Sequence, residues 1–294
     1  MRWPALQSST TVVRADRESR IDPGSRHGLD LRGALIAVDA HAHLHACFAV
    51  ESFLLAAARR LSKEGSGTPG ALVLTEGRGE RAMEALEGLG ARTAWGVEPL
   101  EAGAVLRLRH RGSGDQVLAV RGRQLRTREN LEVLAVGGAV ETLSDGSSVG
   151  ATVRAVQAAG GVPVIPWGFG KWWGSRAAVV LRCIERTDPS LLFLGDSGGR
   201  MAGSPRPRLL DLARHRGVRV LSGSDPLPFA REGTRAGSFG SILSVGLDPD
   251  RPASSLVEAL RDPTLEPRSF GRGVSPGRFL LNQVRMLWRA RDRP

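Results

Sequence analysis

The sequence predicts an α/β protein, a distorted TIM-like (β/α)7–8 barrel carrying an irregular β insertion. Three observations predict it. The chain has 294 residues, and an eight-stranded α/β barrel uses about 250. Short apolar runs alternate with segments of helical length, the pattern of parallel strands joined by crossover helices. Titratable residues gather just after those runs, where such barrels place their chemistry. The apolar fraction of 41% excludes wholesale disorder. No stretch reaches the ~18 apolar residues of a membrane span, and the first twenty residues hold no secretory apolar block. A cytoplasmic protein is expected.

Taken in order, residues 1–32 read as a disordered tail, rich in Ser, Thr, Arg and Asp and without apolar periodicity. Residues 33–294 read as one barrel domain that ends in a basic helical segment, 275–294. Strands are expected at 34–38, 71–74, 117–120, 131–136, 162–165, 191–194 and 218–221, several as continuous Leu/Val/Ile runs suited to burial on both faces. Helices are expected at 51–61, 79–89, 149–159, 176–185, 207–216 and 254–261. The stretch 105–136 differs, reading as two or three adjacent strands with turns at Gly112, Gly114 and Gly122. In the last segment Phe279, Leu280, Val284, Leu287 and Trp288 recur at helical spacing, which predicts that this face packs on the barrel while the arginines meet water.

The formal net charge is +11, almost all of it arginine, because Lys63 and Lys171 are the only lysines. Residues 268–294 alone hold seven Arg against Asp292. Such an excess attracts phosphates or acidic partners. There is no zinc-finger spacing, aromatic RNA-binding strand or helix-turn-helix pattern beside it, so nucleic acid is not expected as a partner. Cys47 and Cys183 are too few for a disulfide framework and read as core fillers.

The strongest local signal is Asp39-Ala40-His41-Ala42-His43-Leu44-His45, at the end of the first expected strand. Strand side chains alternate faces, so His41 and His43 point the same way, toward one ion or one substrate. Imidazole pairs of this kind suit Zn, Mn or Fe. Asp39 and His45 share that parity and join only if the strand stays extended. Glu76, Asp196 and Asp225 follow other expected strands, as do Lys171 and Arg176. Trp167, Trp172 and Trp173 crowd one loop beside Lys171, where their rings either stack on a ligand or fill the core.

These residues resemble the PHP family, a distorted α/β barrel of metal-dependent phosphoesterases. The likeness spans about 33–244. It rests on Asp39-Ala-His41-Ala-His43, on Leu74-Thr75-Glu76 where the family has Thr-Asp-His, and on Gly122-Arg123-Gln124 where it has a Gly-x-Glu turn. It continues with Pro163-Val164-Ile165-Pro166-Trp167, similar to a strand ending in His-Pro, and with Gly223-Ser224-Asp225, similar to Gly-Ser-Asp before a His. Gly77, Gln124 and Pro166 or Trp167 stand where ligands are expected, so the resemblance implies a reduced site of at most one divalent ion. Its expected holders are His41, His43 and Asp225, with Glu76 or Asp196 as a fourth group. Asp225 or Glu76 is then the general base, and Lys171, Arg176 and Arg200 hold a small anionic substrate.

Two functional readings follow. The first is a metal-dependent hydrolase that attacks a small ester or phosphoester with metal-activated water at the barrel mouth. The second is a PHP-like barrel without catalysis that binds a ligand through Trp167, Trp172 and Trp173 as a sensor or scaffold. The sequence leaves the oligomeric state open.

Overall fold

The computed structural model describes residues 35–90 and 93–291. The expected tail, 1–32, lies outside the described residues. Seven strands form the barrel wall: β1 (Ile36–Ala42), β2 (Gly70–Glu76), β5 (Gln116–Arg126), β6 (Glu132–Val136), β7 (Val162–Pro166), β8 (Phe193–Ser197) and β9 (Val220–Gly223). Pairing is parallel from β1 through β2 to β5 and again from β7 through β8 to β9. The strand β6 breaks the rule, running antiparallel to both β5 and β7. This mixed, nearly closed wall is a distorted α/β barrel.

Four strands lie outside the barrel wall. A hairpin of β3 (Trp95–Leu100) and β4 (Val105–His110) extends the sheet from β5. Beyond β9, β10 (Phe239–Leu243) returns antiparallel along the first half of β1, and β11 (Arg268–Gly271) edges β10. Of these, β4 falls within the stretch read as adjacent strands, whereas β3, β10 and β11 were not expected.

Alternation along the strands sorts the apolar residues into layers. Val38, Val73, Val120, Leu134, Val164, Phe193 and Leu221 fill the barrel interior. Leu256, Val257 and Leu260 of α6 (Pro252–Arg261) join that cluster and plug one end. Outside, α1 (Val50–Glu64) lays Phe53, Leu54, Ala57, Ala58 and Leu61 on the wall, and α2 (Ala82–Glu87) adds Met83 and Leu86. The opposite flank is covered by α3 (Val149–Ala158), α4 (Ser175–Arg186) and α5 (Arg208–His215). Each fully buried Leu or Phe contributes about 1.5–3 kcal/mol, so these layers dominate stability.

The last helix, α7 (Pro276–Arg291), reverses the expected orientation. Leu280, Leu287 and Trp288 stand in solvent, and Leu281 and Val284 are exposed beside them. The barrel instead receives the polar side. Buried Glu232 accepts from Arg278 Nε at 2.8 Å and from Asn282 Nδ2 at 3.2 Å, and it is also paired with Arg235. A helical stripe states which residues travel together, not which side finds a partner. A buried carboxylate left without its cations costs more than exposed leucines, so Glu232 sets the orientation. Of the cysteines, Cys183 is buried as expected, whereas Cys47 is exposed.

Candidate metal centre

Register between β1 and β2 shifts between Asp39 and Ala42, a local bulge at the end of the strand. Before it, Asp39 is fully buried. Its carboxylate accepts from Ser224 Oγ at 2.6 Å, Ser224 N at 2.8 Å and Gly237 N at 2.9 Å, so it fastens the β9 end of the wall rather than joining the histidines. Burial pushes its pKa up to about 6, against those hydrogen bonds. After the bulge, His41 and His43 converge, with their Nε2 atoms 3.1 Å apart.

Asp225 comes to them from the other end of the chain. Its Oδ1 lies 3.6 Å from His41 Nε2, and its Oδ2 accepts from Ser197 Oγ at 3.0 Å. The backbone there is left-handed, φ 44°, a costly conformation for a residue other than glycine and one that gathers at functional sites. Asp225 N donates to His41 O at 2.8 Å. Two residues earlier, a Cβ on Gly223 would run into the His41 backbone, so only glycine lets β9 approach this closely. From β5, Gln124 sets its Oε1 2.9 Å from His41 Nε2, at the position where the resemblance expects Glu.

A second cluster adjoins the first through His43. Glu80 places Oε2 3.3 Å from His43 Nδ1 and Oε1 3.1 Å from His45 Nδ1, while Gly77 N donates to Oε2 at 2.7 Å. Nothing in the sequence pattern pointed to Glu80, because it sits in a loop past β2 rather than at a strand end. Its neighbours set the titration of the whole group. Burial holds His41 below its ordinary value. Burial also pulls His43 down, but the Glu80 hydrogen bond and the Asp225 charge outweigh it and hold His43 above. Burial opposes ionisation of both carboxylates. The histidines overcome it, leaving Glu80 and Asp225 below the usual carboxylate range.

Several expected members are turned elsewhere. Glu76 Oε1 accepts from Met83 N at 2.8 Å, satisfying an orphan donor in the first turn of α2 instead of facing the histidines. Asp196 makes two bonds of 3.1 Å to Arg200, because on β8 it lies on the face opposite Ser197. That pair removes Asp196 from any ion's shell and occupies Arg200. Arg176 donates to Gly170 O at 2.7 Å, tying down its own loop. Trp172 is buried within the outer core and Trp167 packs against that core, so neither offers a stacking face. Trp173 is exposed against Phe169, with ring centroids 5.1 Å apart.

Lys171 reaches the site's edge through Glu132, at 3.1 Å, and the Glu132 charge is felt at both His41 and His43. Beside Glu80 and His45 a cavity of about 520 Å3 opens, walled by Leu44, Phe48, Ala82, Pro228 and Arg289 of α7. Its size is that of a small-molecule pocket.

The donor set suits a divalent cation. Four ligands at about 2.0–2.1 Å in a tetrahedron stand roughly 3.3 Å from one another. The separations of 3.1 Å between the imidazole nitrogens and 3.6 Å to Asp225 bracket that edge. Their ligating atoms, like those of His43, His45 and Glu80, lie within 4.8 Å of one another.

No family model and no curated protein matches the chain. Solved structures do. PsfC from Pseudomonas syringae superposes with a TM-score of 0.54 at 16% identity over 86% of this chain and 99% of its own. The lesion-specific endonuclease PfuEndoQ from Pyrococcus furiosus gives 0.51 at 11% identity over 81% of this chain, which spans 59% of the endonuclease. A two-domain Bacteroides vulgatus protein containing a predicted PHP-like metal-dependent phosphoesterase overlaps at 0.43, with 14% identity, over 88% of this chain and 70% of its own. At these identities the likeness to PsfC and to the endonuclease establishes the fold alone, a distorted α/β barrel.

Proposed function

We propose that the protein is a hydrolase dependent on one divalent cation, Zn, Mn or Fe, and that it cleaves an ester of the phosphoester class at the barrel mouth. The observation that carries this reading is the pair of buried imidazole nitrogens 3.1 Å apart facing a carboxylate 3.6 Å away, an arrangement that three ligands and an open position require. His41, His43 and Asp225 would hold the ion, with the Gln124 amide beside them. When bound, the cation supplies Lewis acidity that activates water and offsets charge on the substrate.

The chain's own groups do the rest. Glu80 accepts the Nδ1 proton of His43, which fixes the tautomer and leaves Nε2 free for the site. Both ring nitrogens of His45 face oxygens, Glu80 Oε1 and Pro226 O, so His45 steadies Glu80 rather than adding a ligand. Asp225, held ionised and tied to Ser197, is the carboxylate beside His41 Nε2 and serves as the proton acceptor there. The substrate body lies in the 520 Å3 cavity against Leu44, Phe48 and Ala82. Arg289, on the wall of that cavity, offers its positive charge to the anionic group, while Arg176, Arg200 and Lys171 are engaged by Gly170 O, Asp196 and Glu132.

The reading of a barrel without catalysis placed its ligand on the tryptophan loop, where Trp172 is buried and only Trp173 is exposed. One fold neighbour is named as an endonuclease, which runs against setting nucleic acid aside as a substrate class. The test is metal analysis of dialysed protein, followed by hydrolysis of bis(p-nitrophenyl) phosphate with Zn, Mn or Fe added back. Metal-dependent turnover that His41→Ala abolishes supports the proposal. Absence of metal uptake by the folded protein overturns it.

A further inference from the structure

On the other face of β8 from the metal centre, four guanidinium groups line one cavity of about 480 Å3. Arg200 follows β8, Arg206 and Arg214 flank and end α5, and Arg268 begins β11, with the hydroxyls of Ser204 and Ser269 between them. Asp196 is the only carboxylate on that wall, and both of its oxygens are bonded to Arg200. Arg206 Nε is buried and has no hydrogen-bond partner, the carboxylate of Asp211 standing 3.7 Å off. Among the described residues no carboxylate lies within 4.0 Å of Arg214 or Arg268. Burial and then the charge of Arg214 pull the Arg206 guanidinium below its ordinary value.

Two positive groups, Arg214 and Arg268, therefore face one concavity with no counter-charge, and a third, Arg206, set against the distant Asp211, holds an unspent, desolvated donor. A buried donor left unmade is costly, and like charges held together add to that cost. An oxyanion removes both penalties, because guanidinium forks match phosphate oxygens in geometry as well as charge. A monovalent anion would leave one of the two unpaired charges standing.

We propose that this cavity is an anion-binding site separate from the barrel mouth, and that it takes a ligand with two adjacent phosphate groups. The site needs no cation and does not depend on hydrolysis. Asp196 and Ser197 are consecutive, and Ser197 donates to Asp225, so one strand's thickness separates the cavity from the metal centre.

The test uses the full chain in metal-free buffer, titrated calorimetrically with inorganic pyrophosphate and, in parallel, with a nucleoside diphosphate. Arg206→Gln and Arg268→Gln should each weaken pyrophosphate binding by at least about tenfold, the value of a charge-assisted hydrogen bond. Arg268 is exposed, so its substitution keeps the test valid if Arg206→Gln disturbs the fold by circular dichroism. His41→Ala should bind pyrophosphate as the parent does. Similar affinity for the nucleoside diphosphate assigns recognition to the phosphates, as proposed. Absence of binding by the parent overturns the proposal, as does binding that survives both arginine substitutions. Binding lost only in His41→Ala places the anion at the mouth and overturns it equally, while leaving the hydrolase reading intact.

Discussion

At the end of β1, Asp39, His41 and His43 are exposed by 0, 5 and 7%, whereas on α7 Leu280, Leu287 and Trp288 are exposed by 65, 66 and 64%. Both regions invert the usual partition of polar and apolar residues, and hydrogen bonding accounts for both. The mouth buries polar groups because each meets a partner already fixed by the wall: Ser224 and Gly237 for Asp39, Glu80 for His43. The helix exposes its leucines because Glu232, sunk in the barrel, takes the polar side. Where the two demands conflict, satisfying a buried charge outweighs covering aliphatic surface.

The comparison can be broken at four points. The largest effect is expected at the metal centre. His41→Ala and Asp225→Ala should each abolish cation uptake, read by elemental analysis, because two protein ligands no longer define an open site. Asp39→Ala should cost about 3–5 kcal/mol in urea unfolding, since it strands the buried donors of Ser224 and Gly237. A loss below about 1 kcal/mol would deny Asp39 its role in closing the wall. Glu232→Ala should cost about 2–3 kcal/mol and make α7 an early site of limited proteolysis, because Arg235 and Arg278 lose their shared acceptor. Leu287→Ser should change stability by less than about 0.5 kcal/mol, as surface substitutions do. A drop of several kcal/mol there would mean the apolar side is covered after all.

How much of this was legible in the sequence follows from the same physics. The seven wall strands announce themselves because burial on both faces demands continuous apolar runs, as in Val162–Pro166. The strands β3, β10 and β11 carry Pro99, Gly240 or only four residues, and they owe their pairing to neighbours rather than to their own composition. The grouping of His41 with His43 could be read from alternation, and Asp225 from its place after β9. Glu132 escapes the same rule because β6 runs backward, so its first residue, not its last, meets the mouth. Glu80 lies in a loop, where no period operates. The stripe on α7 was visible, but its direction depended on Glu232, more than forty residues earlier.

The double pairing of β1 bears on synthesis. Its first half is finished by β10, and its second half is tied to Ser224 and Asp225. Among the described strands, β1 leaves the ribosome earliest and is thus among the last to be completed. His41 and Asp225 are 184 positions apart, a gap that translation at about 5–20 residues per second crosses in roughly 10–40 s. Throughout that interval, on the proposed function, the nascent chain displays two neighbouring imidazoles without the carboxylate that would complete a metal shell. An ion met then would find only an open pair, and a chain extended past β10 would be needed to close around it.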